Sequence, residues 1–208
     1  MGTAERKERE KQQRRLNIID ASEKVFLTKG FDQTTMDDIA EQAELSKGTL
    51  YLYFKSKEEL YAEIIKRGEK ILANLFKKAV KKEKNGLCKV RGIGKAFIKF
   101  FNIHKEYHEA LLFGHSRTHT TNETSCNDCK NVGESNQVFV DAIEEGINDG
   151  SIRNNVDPLK TSLLLWAQLM GVMQMIQVQG TFLKDYYKTS SEDLLAYFFE
   201  YTYNALKA

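Results

Sequence analysis

Lys47, Thr49, Tyr51 and Tyr53 occupy alternate positions of one short stretch, Lys47 to Phe54, with Gly48 between the first two. Ammonium, hydroxyl and phenol groups beside a residue without a side chain are what a surface needs to meet base edges and phosphates at close range. Lys55 and Lys57 follow directly and Thr35 precedes, each suited to a further phosphate. For Tyr51 and Tyr53 the alternative is the commoner fate of a helical tyrosine, burial in a core or between subunits.

Two other groups of residues carry chemical potential. His115-x3-His119 and Cys126-x2-Cys129 fall between Gly114 and Gln137, a stretch whose one aliphatic side chain is Val132. Two imidazoles and two thiolates suit zinc or a thiol pair, but the gap between the pairs fits no finger pattern, and an inert polar loop is the alternative. Phe97, Phe100, Phe101, His104, Tyr107 and His108 lie along two successive helices, and Trp166, Met170, Met173 and Gln174 along a third. Aromatic and methionine side chains with a few polar groups suit an adaptable apolar ligand site, with solid core as the alternative. No acid-base constellation and no phosphate-binding glycine loop accompanies them, so no enzyme, metal or cofactor is expected.

The elements that must position these residues read as all-α. One proline in 208 residues, Pro158, leaves long stretches free of the strongest helix breaker, and apolar residues recur at helical spacing. The pattern predicts a first helix over Lys11 to Lys29 ending at Gly30, and a second of about two turns capped by Thr34 or Thr35. Ser46 caps a third over Lys47 to Phe54, and Ser56, with Glu59 in a capping box, opens a long fourth. Further helices are expected over Leu87 to His104, Glu106 to Gly114, Ser135 to Asn148, Pro158 to Val178 and Ser191 to Lys207. Asp157 caps the penultimate one and Ser190 or Ser191 the last. Two short helices joined by about three residues form a helix-turn-helix.

Charge supports that reading although the balance is only +2, from 31 basic and 29 acidic side chains. Residues 1–15 hold six basic and three acidic groups and residues 66–99 twelve and two, whereas residues 100–208 hold eight and fourteen. A basic first half and an acidic second half place the polyanion-facing end at the start of the chain. The odd count of three cysteines, with no apolar stretch after the charged start, points to a reducing cytoplasm. The Leu163 to Ile176 run falls short of the roughly 20 residues of a membrane span, so no membrane role is expected.

Thr34-Thr35-Met36, Ile39-Ala40, Ala43 and then Ser46-Lys47-Gly48-Thr49-Leu50-Tyr51-Leu52-Tyr53-Phe54-Lys55-Ser56-Lys57-Glu58-Glu59-Leu60 resemble the TetR family of transcriptional repressors, over about Leu16 to Leu60. Glu44 departs from the pattern, because many similar proteins have glycine at that turn. The resemblance implies a DNA-binding domain over 1–58 with a basic N-terminal arm, and a ligand-binding and dimerisation domain over 59–208. Leu50 and Phe54 would face the core while Thr35, Lys47, Gly48, Thr49, Tyr51, Tyr53, Lys55 and Lys57 face DNA. It also implies a homodimer on double-stranded palindromic operator DNA, paired through the Leu163 to Ile176 run and the Leu194, Leu195, Phe198, Tyr201, Thr202, Ala205 stripe. A small apolar or aromatic effector held by Phe97, Phe101, His104, Tyr107, His108, Trp166, Met170, Met173 and Gln174 would release it. The alternative within the same fold is a structural or spatial DNA-binding factor without a ligand-controlled promoter.

Overall fold

The computed structural model describes residues 2–104, 107, 110–112 and 133–208. It is helical, with no strand among the described residues beyond an isolated bridge between Ile152 and Lys207. The helices are α1 (Thr3–Gln33), α2 (Met36–Gln42), α3 (Lys47–Tyr51), α4 (Lys57–Val80), α5 (Gly86–Ile103), α6 (Glu134–Asn148), α7 (Pro158–Asp185) and α8 (Ser191–Leu206). The chain divides into two compact bodies, with the boundary inside α4 between Glu69 and Lys70. Those residues of 104–126 that the structure describes belong to the N-terminal body, so the division differs from the expected one at 58/59.

In the N-terminal body α1 begins eight residues earlier than the apolar periodicity predicts. Its first half is exposed all round and is held by polar pairs one turn apart: Arg6 with Glu10 at 3.2 Å, and Gln12 donating to Glu8 at 3.1 Å. Gly30 takes the left-handed backbone (φ 75°) expected of it, but helical structure resumes to Gln33. The core gathers Ile18, Ile19, Val25 and Phe26 of α1, Ile39 and Ala40 of α2, Leu50 of α3, and Leu60 and Ile64 of α4. Phe26, Phe31 and Tyr61 cluster with ring centroids 4.7 to 6.0 Å apart.

In the C-terminal body α6 packs on α5 and α7, and α8 on α5 and α7. The start of α5 is capped from outside itself. Asp149 accepts from the Gly86 amide at 2.8 Å, the Ser151 hydroxyl from the Leu87 amide at 3.1 Å, and Asn85 from the Cys88 amide at 2.9 Å. Asp157 caps α7 by accepting from the Lys160 amide at 2.9 Å, with Pro158 in the first turn, and Ser190 caps α8 together with Asp193. Helix α7 runs past Val178 to Asp185, with one non-helical residue at Gln179. By length and composition it is long and apolar enough to cross a membrane, which the shorter run read from the sequence is not. Gln168, Gln174, Gln177 and Gln179 punctuate it, and Leu165, Leu169, Met170 and Met173 are buried in the protein.

Candidate nucleic-acid interface

The turn between α2 and α3 decides which way α3 faces. Helix α2 ends with the Leu45 amide on the Ala40 carbonyl at 2.9 Å and the Glu44 amide on the Glu41 carbonyl at 3.0 Å, a Schellman closure that requires a left-handed residue at position 44. Glu44 supplies it at φ 56°, in a region that costs a side chain with a Cβ about 1 kcal/mol or more. Glu44→Gly is therefore expected to raise the stability of the N-terminal body by about 0.5–1 kcal/mol, net of glycine's greater freedom in the unfolded chain. An unchanged or lower midpoint in thermal denaturation contradicts this.

At the front of α2, the Thr35 hydroxyl accepts from the Asp38 amide at 3.2 Å and donates to the Asp38 carboxylate at 2.9 Å. Lys29, hydrogen-bonded to Asp38 at 2.7 Å, and then the Thr35 backbone and hydroxyl, hold that carboxyl down from 3.8 to about 2. Because the folded pKa is depressed, this contribution is fully present above 3.8 and is lost as the pH falls toward 2.

Ser46 opens α3 by accepting from the Thr49 amide at 3.2 Å. Leu50 and Phe54 are wholly buried, and the Arg15 guanidinium lies 4.8 Å from the Phe54 ring. The helix proper ends at Tyr51, and a turn carries Leu52 to Phe54, with the Tyr53 and Phe54 amides both on the Leu50 carbonyl. The anchored face leaves Lys47, Gly48 and Tyr51 outward, with Thr49 and Tyr53 half-buried at its edges. Lys47 is paired with Asp37 at 2.5 Å, both exposed. No atom lies within 4 Å of where a Gly48 Cβ would stand, so nothing inside the protein requires glycine there. Lys55 is exposed, and its amide donates to Glu59 at 2.7 Å in place of the Ser56 amide of a full capping box.

Lys57, expected on a phosphate, turns inward instead. Its ammonium donates to the carbonyls of Phe31 (3.0 Å), Thr34 (3.1 Å) and Asp32 (3.4 Å) and lies 4.5 Å from the Phe31 ring centroid. Those carbonyls lie at the end of α1, so the lysine closes that end and is turned away from DNA. Leu52, which the sequence reading passed over, is 81% exposed beside Tyr51, the most exposed large apolar side chain among the described residues.

The described residues expected around an effector are divided between the two bodies. Phe97 and Trp166 meet at 5.0 Å and line a recess of the C-terminal body with Phe76, Phe139, Phe198 and Phe199. Its free volume is about 30 Å³, or about 520 Å³ when all the space between its walls and at its open mouth is counted. Phe101, Met170 and Met173 are buried but do not line it, and Gln174 faces out. His104 and Tyr107 belong to the N-terminal body. There Tyr107 donates to Glu23, which Arg67 also holds at 2.5 Å, and its ring sits where a Cβ on Gly68 would be 2.9 Å away. The aromatic character of Tyr107 thus serves packing against α1 and α4. His108, His115, His119, Cys126 and Cys129 lie outside the described residues, and Cys88 is a half-buried free thiol.

Residues 18–64, the span just described, match the model of the bacterial regulatory proteins, tetR family. That span is a TetR-family segment. The chain is 45% identical over 58 residues to YfiR, an uncharacterized regulator of helix-turn-helix type from Bacillus subtilis, covering 28% of each chain. It is 25% identical over 146 residues to the transcriptional repressor KstR2 of Mycolicibacterium smegmatis, covering 69% of this chain and 70% of that one. With other curated relatives the match spans only 25% to 46% of their length. The TetR fold extends over both bodies: a SmeT–triclosan complex superposes with a TM-score of 0.64 at 20% identity, over 94% of this chain and 92% of that one.

Proposed function

We propose that this TetR-family chain is a cytoplasmic repressor that binds a palindromic operator as a homodimer and is released by a small apolar or aromatic effector held in the C-terminal body. The observation that carries the DNA-binding part is α3 itself, buried on Leu50 and Phe54 and presenting Lys47, Gly48 and Tyr51 to solvent on a closed, N-capped turn. A helix anchored on one face and small or hydrogen-bonding on the other fits a major groove. Gly48, unconstrained from within, lets the helix backbone approach the bases. Thr49 and Tyr53 flank the contact, Lys55 takes a phosphate and Thr35 reaches a second one from the start of α2.

Dimerisation is supported by large apolar and aromatic side chains that are more than half exposed. Leu163 and Leu164 on α7 are 52% and 59% exposed, and Tyr197 and Tyr201 on α8 are 67% and 58% exposed. Two such pairs of helices suit a four-helix bundle across a twofold axis, which sets two reading heads on half-sites about one helical turn or more apart. The effector reading is supported by the apolar recess and by the aromatic ligand in the name of the SmeT complex.

The test is Tyr51→Ala and, separately, Thr49→Ala, assayed by gel shift with sedimentation as the control. Each is expected to cost about 1–3 kcal/mol per half-site, felt twice in a dimer, while the dimer persists. Undiminished affinity in both refutes the assignment of α3.

A further inference from the structure

The recess in the C-terminal body is lined mostly by apolar side chains, and the one charged residue of its lining is basic. Arg91 lines it from α5, exposed and without an ion pair among the described residues. Lys95 and Lys99 follow at successive i+4 steps, likewise exposed and unpaired, so three cations run along about 12 Å of one helix face. Like charges at that spacing destabilise a helix. The acidic second half of the chain does not relieve them: Glu134 pairs with Lys77 and Glu145 with Lys89 at 2.5 Å, leaving the ladder open.

Besides Arg91, the polar side chains of the lining are Thr202 and Tyr203. The Thr202 hydroxyl is spent on the carbonyls of Phe198 (2.9 Å) and Phe199 (3.2 Å). Phe198 and Phe199 are half-buried and wall the recess from α8. The Phe199 ring rests on Gly94, where a Cβ would lie 2.7 Å from the ring. The free volume of about 30 Å³ admits only small solvent molecules, so a larger occupant enters by displacing that ring.

Resting on the effector reading above, we propose that this recess takes an amphiphile, with its apolar tail among Phe97, Trp166 and the displaced Phe199 and its anionic head, carboxylate or phosphate, on Arg91. Lys95 and Lys99 extend the same face to heads of more than one charge. A charged head bound to a guanidinium distinguishes such a ligand from a neutral compound of equal apolar length.

Trp166 is the one tryptophan in the chain and lines the recess, so its emission reports occupancy without DNA. The full chain is titrated below micelle formation with dodecanoate, dodecyl phosphate and dodecanol. Both anions are expected to shift Trp166 emission saturably and to bind about tenfold tighter than the alcohol, the tighter of the two identifying the head. Arg91→Gln is expected to remove that advantage and leave dodecanol unchanged. Arg91 is exposed, so the variant keeps the fold, and an unaltered melting curve checks this.

Equal binding of alcohol and anions, or an Arg91→Gln variant indistinguishable from the parent, overturns the anionic head. No emission change with any of the three overturns the recess as the site. Operator release, assayed separately with a panel of apolar and aromatic compounds, keeps the two readings apart. A compound that frees DNA without touching Trp166 leaves the effector reading standing. Anion binding at Arg91 with no compound freeing DNA refutes that reading alone.

Discussion

Raising the salt from about 50 to about 200 mM is expected to weaken operator binding roughly 10³- to 10⁵-fold, the loss that follows from releasing counterions at about 6 to 10 phosphates. A dimer reaches that number with about three to five contacts per protomer. The N-terminal body can supply them: Lys55 and Lys47 are exposed at the reading helix, and Arg6, Lys7, Lys11 and Arg14 are exposed along the helical start of α1. The net charge of +2 conceals this capacity because the basic side chains lie mainly in the first half of the chain, while the acids are spread along all of it. Lys55→Gln should lower the slope of log affinity against log salt by about one per protomer. A matching change at Lys57 should leave the slope alone, because that ammonium is committed to the carbonyls that end α1. Fluorescence anisotropy on a labelled duplex across a salt series measures both, and a flat response contradicts the electrostatic reading.

Gly86→Ala is expected to destabilise the C-terminal body by about 3 kcal/mol, at the upper end of overpacking costs. A Cβ at Gly86 would lie 2.1 Å from the Gly146 nitrogen, 2.2 Å from its Cα and 2.6 Å from the Ala142 carbonyl oxygen. All three are backbone atoms of α6, so no side-chain rotation relieves the overlap and the helices themselves must separate. Separation also pulls the Gly86 and Leu87 amides from Asp149 and Ser151, which cap α5 at 2.8 and 3.1 Å. The companion glycine is constrained as well, since a Cβ on Gly146 would stand 2.5 Å from Ile152 Cδ1. Urea denaturation followed by helical circular dichroism and by Trp166 emission tests this. A midpoint for Gly86→Ala equal to the parent's rules out the close crossing of α5 and α6.

What the sequence made legible, and what it hid, follow from the kind of signal each residue gives. Caps are local, so Thr35, Ser46, Asp157 and Ser190 are all recognisable from a residue and its near neighbours, and all accept the expected amides. The start of α1 was hidden because apolar periodicity reports a buried face, and residues Ala4 to Arg14 bury none. The inward turn of Lys57 was hidden because its partners are carbonyls 23 to 26 residues away, which carry no side-chain signature. The chamber was half-legible: Phe97 and Trp166 announce themselves as large aromatics, but Tyr107 looks the same in sequence and is recruited by Glu23 and Gly68 of the other body. Gly94 was the available clue to the true recess, since a glycine inside an apolar helix marks a close approach, here of Phe199.

Selection of bound duplexes from a randomised pool tests the central claim most directly, with the stoichiometry of the selected complex measured alongside. The account predicts an inverted repeat, two protomers per duplex with one α3 on each half-site, and loss of enrichment with Tyr51→Ala. A single unrepeated motif bound by one protomer, or the same repeat recovered with Tyr51→Ala, would contradict it.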